Sequence, residues 1–178
     1  MQTLVYKLAT KVFILYDYLL VYSNVKYLIL ENIRSAYNVG AIFRTADGAG
    51  VTKIFLIGYT PAPTDRFGRV QAEIKKTSLG ASEEIPWQQQ ENIEMLILSL
   101  KKEGYTVVAV EQADNAIILR EFTVPKKVVY ILGNEIDGVS RGAQNLADMV
   151  VEIPMLGSKE SLNVSVAAGI ILYHEHTT

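Results

Sequence analysis

Short apolar runs alternate with longer mixed segments along most of this chain. These runs occupy residues 27–30, 53–57, 106–110, 128–132 and 149–153. They are rich in Val, Ile and Leu and lack an internal polar alternation, which is typical of short strands buried on both faces. Strands that alternate with helical segments at this spacing predict an α/β fold, with a mostly parallel sheet and helices on both faces.

Between the runs, the pattern predicts helices with one apolar side. The predicted helices cover residues 39–47, 70–77, 92–102 and 141–147. Asn38 and Ser140 are expected to cap the first and the last of these helices, because short polar side chains accept hydrogen bonds from the first turn. Residues 58–68, with several Gly and Pro, predict an exposed loop, and residues 114–122 fit either a helix or a loop.

The last predicted helix follows Ser161 and Asn163. Residues 164–172 are apolar on nearly every side, so we expect this helix to be buried. In a purely structural interpretation Ser161 is its N-cap and Asn163 is a polar residue of the first turn.

Composition narrows the classes of function. A formal net charge of -2 argues against broad electrostatic binding of nucleic acid, so any such contact must be local. The absence of cysteine excludes disulfides, thiolate metal sites and cysteine nucleophiles, and it fits a cytoplasmic protein. The two histidines, His174 and His176, leave little for a metal centre.

Residues 1–25 form an N-terminal extension of uncertain role before the main domain, which we place at residues 26–178. Residues 12–22 are largely apolar, but Asp17 interrupts them and no small-residue cleavage site follows. A membrane span requires about 20 uninterrupted apolar residues. We therefore expect neither a membrane span nor a signal segment here, and instead an additional packing or oligomer-contact segment or an upstream extension of the core domain.

A first motif that could carry chemistry covers residues 38–50 and has the form N-x-G-x-x-x-R-x-A-x-x-x-G. Arg44 lies about 9 Å beyond Asn38 along a helix axis, and its long side chain leans back towards the helix N-terminus. A guanidinium there suits a phosphate or a developing oxyanion. The alternative is a surface arginine paired with Asp47, one turn further on.

A second motif, L-G-N-E-I-D-G-V-S, covers residues 132–140 directly after a predicted strand. Gly133 and Gly138 allow a sharp turn and a close approach of the backbone. Glu135 follows the strand's carboxyl end, where ligands bind in open α/β sheets. The chain contains neither G-x-G-x-x-G nor the G-K-[ST] of a phosphate loop, and by itself this motif also fits a plain turn before a capped helix.

A third motif, I-P-M followed by S-L-N-V-S-x-A, lies within residues 153–167. Together the three motifs resemble the SpoU class of RNA ribose 2'-O-methyltransferases, TrmH-like members of the SPOUT superfamily, over residues 26–173. The resemblance implies a C-terminal trefoil knot, which is an exception to the unknotted norm. It also implies a homodimer with its active site near the subunit interface, and S-adenosyl-L-methionine, without a metal, as the methyl donor.

The resemblance also implies roles for individual residues. The residues expected to line the methyl-donor site are Val110, Gly133, Asn134, Ile153, Met155, Ser161 and Leu162. The residues expected to be catalytic or to contact the ribose are Asn38, Arg44, Glu135, Ser161 and Asn163. We expect this sequence to act without the separate RNA-binding domain of many relatives, so local basic contacts are expected from Arg66, Arg69, Lys75 and Lys76.

The implied reaction is methyl transfer to a ribose 2'-hydroxyl of tRNA or rRNA, with Arg44 as the general base. An arginine side chain is protonated at neutral pH, so two versions stay open. Arg44 either loses a proton on contact with substrate, or stays charged and stabilises the alkoxide while water or a phosphate takes the proton. The competing functions are a catalytically silent RNA-binding or cofactor-sensing domain, and an unknotted nucleotide-binding α/β domain.

Overall fold

A computed structural model describes residues 24–174, and within this range seven strands form one sheet in which every pair of neighbours is parallel. The order across the sheet is β3-β2-β1-β6-β4-β7-β5. The strands are β1 (Val25–Glu31), β2 (Val51–Ile57), β3 (Trp87–Gln90), β4 (Thr106–Val110), β5 (Ile117–Ile118), β6 (Lys127–Leu132) and β7 (Met149–Glu152). This confirms the predicted parallel α/β class and all five predicted strands.

Helices cover both faces of this sheet. They are α1 (Ala36–Gly48), α2 (Ala72–Ser78), α3 (Ala81–Glu84), α4 (Ile93–Lys102), α5 (Arg141–Leu146) and α6 (Val164–Tyr173). One buried cluster joins the sheet to α1, α2, α3 and α6, and a second joins the opposite face to α4 and α5. In the described part of the chain no helix is long and apolar enough to cross a membrane.

Three predicted elements need correction. Residues 87–90 form the edge strand β3, which was missed because Gln88, Gln89 and Gln90 carry no apolar alternation. The ambiguous residues 114–122 contain β5 and a short 3-10 turn, Leu119–Glu121. The loop after β2 is only partly exposed, because the Thr60 hydroxyl is buried, donates to the carbonyls of β1 and β2 and accepts from the Ile33 amide.

The last helix, α6, is not buried all round. Val164, Ala168, Ile171 and Leu172 are buried, and Gly48 of α1 lies against the Tyr173 ring. Val166, Ile170 and Tyr173 remain exposed along another side of the helix, with Val166 49% exposed. An apolar composition therefore described this helix correctly but overstated its burial within one chain.

Helices α1 and α2 approach each other closely at Gly40. A Cβ atom at this position would collide with the Thr77 hydroxyl and lie 2.8 Å from the Ile74 carbonyl oxygen. The glycine of the first motif therefore serves helix packing, and it ties the α1 backbone to the segment that follows β2. The apolar run at residues 12–22 lies outside the described residues, and the domain boundary after residue 25 stays a prediction.

Candidate functional site

A cleft of about 330 Å³ opens at the carboxyl ends of β4, β6 and β7. Its walls come from residues 110–112 and 132–138 and from several residues of the ranges 153–155 and 160–167. The loops of the second and third motifs therefore converge here with the end of β4, because parallel strands end at the same edge of a sheet. All seven residues expected at the methyl-donor site line this cleft, namely Val110, Gly133, Asn134, Ile153, Met155, Ser161 and Leu162.

The loop after β6 folds back tightly on itself at Gly133. A Cβ atom there would collide with the Gly138 carbonyl and the Val139 nitrogen. Gly138 has a φ of 67°, in the left-handed region that favours glycine. The two glycines of the second motif are thus required by geometry, and they bring bare backbone to the wall of the cleft.

Asn134 holds the turn between these glycines. Its side chain is buried, and its Oδ1 accepts hydrogen bonds from the amides of Ile136 and Asp137, both at 2.9 Å. Its Nδ2 lies 3.5 Å from the Tyr59 hydroxyl. The side chain is therefore occupied by the turn, and the Asn134 contribution to the cleft comes mainly from its backbone.

Two carboxylates that the sequence reasoning missed fix the far end of this loop. Glu31, buried at the end of β1, accepts from the Ser140 amide at 2.9 Å. Glu111, directly after β4, accepts from the Val139 amide at 2.9 Å and lines the cleft. A carboxylate at a strand's carboxyl end is the signal that drew attention to Glu135, and the sequence carries it at both of these residues.

Asn38, Glu135 and Asn163, one from each motif, meet beside the cleft. Asn38 Nδ2 donates to Glu135 Oε1 at 2.6 Å, and Asn38 Oδ1 accepts from Asn163 Nδ2 at 3.2 Å. Asn163 Oδ1 in turn accepts from the Ser165 hydroxyl at 2.6 Å and from its amide at 2.9 Å. Each amide is thereby oriented, and the chain of donors ends on the Glu135 carboxylate.

The prediction that Asn38 caps α1 is wrong, and the actual start of the helix explains how Asn38 joins this network. The helix begins at Ala36 and its N-cap is Ser35, whose hydroxyl accepts from the Asn38 amide at 3.2 Å. Asn38 therefore lies in the first turn rather than at the cap. Its side chain is free to leave the helix and reach Glu135.

The structural interpretation of Ser161 as N-cap and Asn163 as a first-turn residue is wrong for both. Asn163 is the N-cap of α6, whereas Ser161 is exposed in the loop before it and lines the cleft. Gln112 Nε2 donates to the Glu160 carbonyl at 2.5 Å, which ties this loop to the end of β4. The third motif is thus held from both sides of the cleft.

Arg44 is exposed on α1 and does not line the cleft of its own chain. It is about six residues and 240° of helical rotation beyond Asn38. Among residues 24–174 no ion pair joins it to Asp47, so the alternative of a paired surface arginine is wrong. The structure brings together four of the five expected catalytic residues and leaves the fifth on an outer surface.

Another arginine, Arg34, lies close to two carboxylates of the cleft loop, Glu135 and Asp137. Arg34 follows β1 and is exposed, and its hydrogen bond to Tyr59 raises the pKa of its guanidinium. The nearby carboxylates of Asp137 and Glu135 raise it further. No group of three His, Asp or Glu residues in the described range is arranged to hold a metal ion.

A parallel sheet with helices on both faces and a cleft at the carboxyl ends of its strands places the chain in the class of α/β proteins whose ligands bind at this edge of the sheet. Within this class the chain belongs to the SpoU rRNA Methylase family, whose sequence model matches residues 26–173. The 23S rRNA (guanosine-2'-O-)-methyltransferase RlmB of Neisseria meningitidis is 34% identical over 145 residues, which are 82% of this chain and 55% of that protein. The RlmB of Xanthomonas axonopodis is 36% identical over 146 residues, 82% of this chain and 56% of its own length.

Solved structures that resemble this chain include two enzymes that modify RNA. An AdoMet-bound rRNA methyltransferase from Sinorhizobium meliloti has a TM-score of 0.77 and 31% identity, over 86% of this chain and 56% of that chain. A TrmH/SpoU tRNA modifying enzyme from A. aeolicus has a TM-score of 0.75 and 29% identity, over 85% of this chain and 74% of that chain. The chain spans a little over half the length of the RlmB proteins that it matches.

Proposed function

We propose that this protein transfers a methyl group from S-adenosyl-L-methionine to a ribose 2'-hydroxyl of tRNA or rRNA. The observation that carries the proposal is the meeting of Asn38, Glu135 and Asn163, from three separate motifs, beside the glycine-walled cleft. Relatives named as rRNA and tRNA methyltransferases support the type of reaction. The resemblance is compatible with tRNA or rRNA as the substrate of this chain, and with guanosine or another nucleotide as the methylated position.

The cleft fits such a donor. The volume of about 330 Å³ lies within the range of small-molecule sites. Gly133 removes the side chain that would otherwise block the approach to the loop backbone, so amide and carbonyl groups can bind the adenine and ribose of the donor. Ile153, Met155 and Leu162 supply apolar contacts, while Ser161 and Glu111 supply polar ones.

When bound, S-adenosyl-L-methionine supplies a methyl group on a positively charged sulfur, which is a strong electrophile. The 2'-oxygen forms the new C–O bond as the C–S bond breaks, and its proton must leave. The protein's task is therefore to orient the 2'-oxygen and to accommodate the charge that develops on it. We assign orientation of the ribose to Asn38, Asn163 and Ser161, whose side chains lie at or beside the cleft.

Glu135 has two roles in this proposal. It fixes the Asn38 amide, and as a carboxylate beside the cleft it favours the positively charged donor over the neutral product. We assign Arg44 the electrostatic version of its role, in which a protonated guanidinium stabilises the developing alkoxide while water or a phosphate oxygen accepts the proton.

We further propose a homodimer formed through α6. Val166, Ile170 and Tyr173 are spaced at i, i+4 and i+7 and form an exposed apolar side of this helix. An exposed apolar strip of this kind is typical of a protein–protein interface. In such a dimer Arg44, which is exposed on the adjacent α1, acts in the cleft of the second protomer.

The trefoil knot and a cytoplasmic location belong to the same proposal. The knot is supported by the return of the segment after β7 across the sheet, where Asn163 bonds to Asn38 of α1. The location is supported by the RNA class of the proposed substrate. A traced crystal structure of the whole chain decides the knot, and cell fractionation decides the location.

The decisive experiment is incubation of the protein with methyl-labelled donor and total bacterial RNA, followed by mapping of 2'-O-methylated nucleotides by mass spectrometry. We expect one or a few modified positions, and a strongly reduced label with Arg44→Gln. Glu121→Gln, an exposed substitution outside the lining of the cleft, serves as the matched control. A wild-type protein that labels no RNA, although it is folded and binds the donor, contradicts the proposal.

A further inference from the structure

The loop between β2 and α2 ends in a small, well-ordered hairpin, residues 64–70. Thr64 and Val70 form an antiparallel bridge, and the Asp65 amide donates to the Arg69 carbonyl at 3.0 Å. The Asp65 carboxylate accepts from the amides of Phe67 and Arg69 at 2.8 and 2.9 Å and from Arg69 Nε at 2.7 Å. The hairpin tip is therefore held in one conformation before any ligand binds, which lowers the entropic cost of binding.

Phe67 occupies the tip of this hairpin and is 69% exposed. Guanidinium groups flank its ring, with the Cζ atoms of Arg66 and Arg69 4.8 and 5.3 Å from the ring centroid. A phenylalanine on a rigid, exposed turn contributes nothing to the core. An aromatic ring between two arginines has the composition of a nucleobase-stacking site, because bases stack on rings and on guanidinium planes alike.

The charges of the hairpin favour an anionic partner. Asp65 is neutralised locally by Arg69, and the hydrogen bond from the Arg69 backbone amide lowers the pKa of the Asp65 carboxyl. The carboxylate bonds are thus formed at neutral pH and are lost only as the pH falls through that lowered pKa. Within residues 24–174 no ion pair occupies Arg66.

The surroundings of the hairpin also suit a nucleotide. An open hollow of about 680 Å³ lies beside it, and the amide side chains of Gln71 and Gln89 line this hollow together with Phe67. Amides hydrogen-bond to base edges as donors and acceptors. The site therefore combines a ring for stacking, amides for a base and two guanidinium groups. Of these, Arg66 has no ion pair within residues 24–174, whereas Arg69 is paired with Asp65.

The hairpin is connected to the candidate active site at both of its ends. The loop leaves β2 near Tyr59, which contacts Asn134 of the cleft loop and the nearby Arg34. It returns into α2, which packs at Gly40 against the helix that carries Asn38 and Arg44. The hairpin and the cleft thus lie at the same edge of the sheet, with the hairpin on the β3 side.

From this arrangement we infer that the hairpin binds an unpaired nucleotide of the RNA substrate, near the nucleotide that is methylated. The base stacks on Phe67, and Arg66 and Arg69 contact the adjoining phosphates. This inference rests on the proposed function for the identity of RNA as the substrate. It adds the recognition of a single strand, since a paired base has no exposed face to offer to Phe67.

The test measures the affinity of the intact chain for a fluorescein-labelled RNA of about 15 unpaired nucleotides, by anisotropy, without methyl donor. The same RNA annealed to its complement is the second probe. We expect Phe67→Ala and Phe67→Leu to weaken binding of the unpaired RNA by roughly tenfold, and Phe67→Trp to retain it, because only the latter keeps a stacking face. Met95→Ala, a truncation of a 64% exposed side chain on α4, is the matched control and leaves affinity unchanged.

A salt titration separates stacking from phosphate contacts. We expect Arg66→Gln with Arg69→Gln to reduce the slope of log affinity against log salt by about 1.4, at roughly 0.7 for each lost phosphate contact to a single strand. Phe67→Ala is expected to leave the slope unchanged. Arg120→Gln, at another exposed arginine, controls for the loss of positive charge.

Several results overturn the inference. These are an unchanged affinity in Phe67→Ala, an equal loss with duplex RNA, and a wild-type protein that binds neither probe. If wild type methylates RNA while Phe67→Ala retains full affinity and kcat/KM, the hairpin inference fails and the proposed function stands. If Phe67 is required for binding but no RNA is methylated, the proposed function fails and the hairpin inference stands.

Discussion

Asn38 donates its side-chain amide to Glu135 at 2.6 Å across 97 residues of sequence, and this contact orients both groups beside the cleft. Because Asn38 also accepts from Asn163, its amide has only one orientation that satisfies both neighbours. A substitution of Asn38 should therefore change both the charge and the hydrogen bonding beside Glu135.

Asn38→Asp places a second carboxylate against Glu135. We expect a loss of about 1–3 kcal/mol in the free energy of unfolding at pH 8, because two adjacent carboxylates repel and one donor is lost. The loss should be smaller at pH 5, where the pair can share a proton and form a hydrogen bond. Chemical denaturation at both pH values measures it.

The control for this prediction is the double variant Asn38→Asp with Glu135→Gln, which reverses the polarity of the same contact. The amide introduced at position 135 then donates, and the carboxylate introduced at position 38 accepts. Stability should return to within about 0.5 kcal/mol of wild type while methyl transfer stays impaired. A double variant as unstable as Asn38→Asp alone would show that the hydrogen bond does not account for the effect.

Gly133→Ala is expected to weaken donor binding. The new Cβ atom collides with the Gly138 carbonyl, so the loop must shift, at a cost of about 1–3 kcal/mol in stability. Calorimetric titration with S-adenosylhomocysteine should show at least a tenfold weaker Kd. Gly157→Ala is the control, since nothing lies within 4 Å of its Cβ position and its φ is not in the left-handed region; equal affinity of the two variants would remove Gly133 from the site.

Arg44 is expected to act through its charge. Single-turnover methyl transfer at saturating RNA should fall about a hundredfold in Arg44→Gln and less in Arg44→Lys, because lysine retains a cation without the guanidinium geometry. Donor affinity should change little, since Arg44 is assigned to the charge that develops on the ribose oxygen and not to the methyl donor. Equal rates for the Lys and Gln variants would reject the electrostatic role.

A dimer formed from two different variants, called the mixed dimer, tests which protomer supplies Arg44 to a given cleft. One protomer carries Arg44→Gln and an intact cleft, and the other carries Gly133→Ala and an intact Arg44. We expect this dimer to regain up to half of wild-type activity, because Arg44 is exposed on the outside of its own cleft. A mixed dimer that stays as inactive as either parent would place Arg44 in the cleft of its own chain.

Ile170→Arg is expected to convert the dimer to a monomer, as measured by sedimentation velocity, and to abolish methyl transfer. The arginine would place a charge within the apolar side of α6. Leu98→Arg, at an exposed position of α4 on the opposite face of the sheet, is the matched control and should remain dimeric. A wild-type protein that is monomeric at micromolar concentration would contradict the proposed interface.

Periodicity was sufficient to predict the sheet and its helices, because buried parallel strands need continuous apolar runs whatever their neighbours. It failed at Trp87–Gln90, where the polar residues of an edge strand pair with β2 through the backbone and through a hydrogen bond from Lys53 to the Gln88 side chain, neither of which needs an apolar pattern. It also failed at the burial of α6. The sequence of an apolar helix does not distinguish side chains that are buried within the same chain from side chains that stay exposed on its surface.

The motifs indicated which loops meet, but local rules could not assign each polar residue within them. Ser35 and Asn38 are both good N-caps, and only the position of Glu135 in space explains why Ser35 caps and Asn38 points away. Glu31 and Glu111 were missed for a related reason. Their partners are backbone amides 109 and 28 residues further along the chain, which no local pattern encodes.

Glu31 and Glu111 hold two consecutive backbone amides from strands on either side of β6. The length of the segment between Leu132 and Ser140 is consequently fixed by three attachments, namely β6 at its start and the two carboxylates at its end. Adding even one residue there would release an anchor or misalign the turn. Gly157 is exposed with nothing within 4 Å of its Cβ position, and the hydrogen bond from Gln112 to the Glu160 carbonyl restrains only the later part of that loop. Length variation in this domain, natural or engineered, should therefore be tolerated better at Gly157 than after β6.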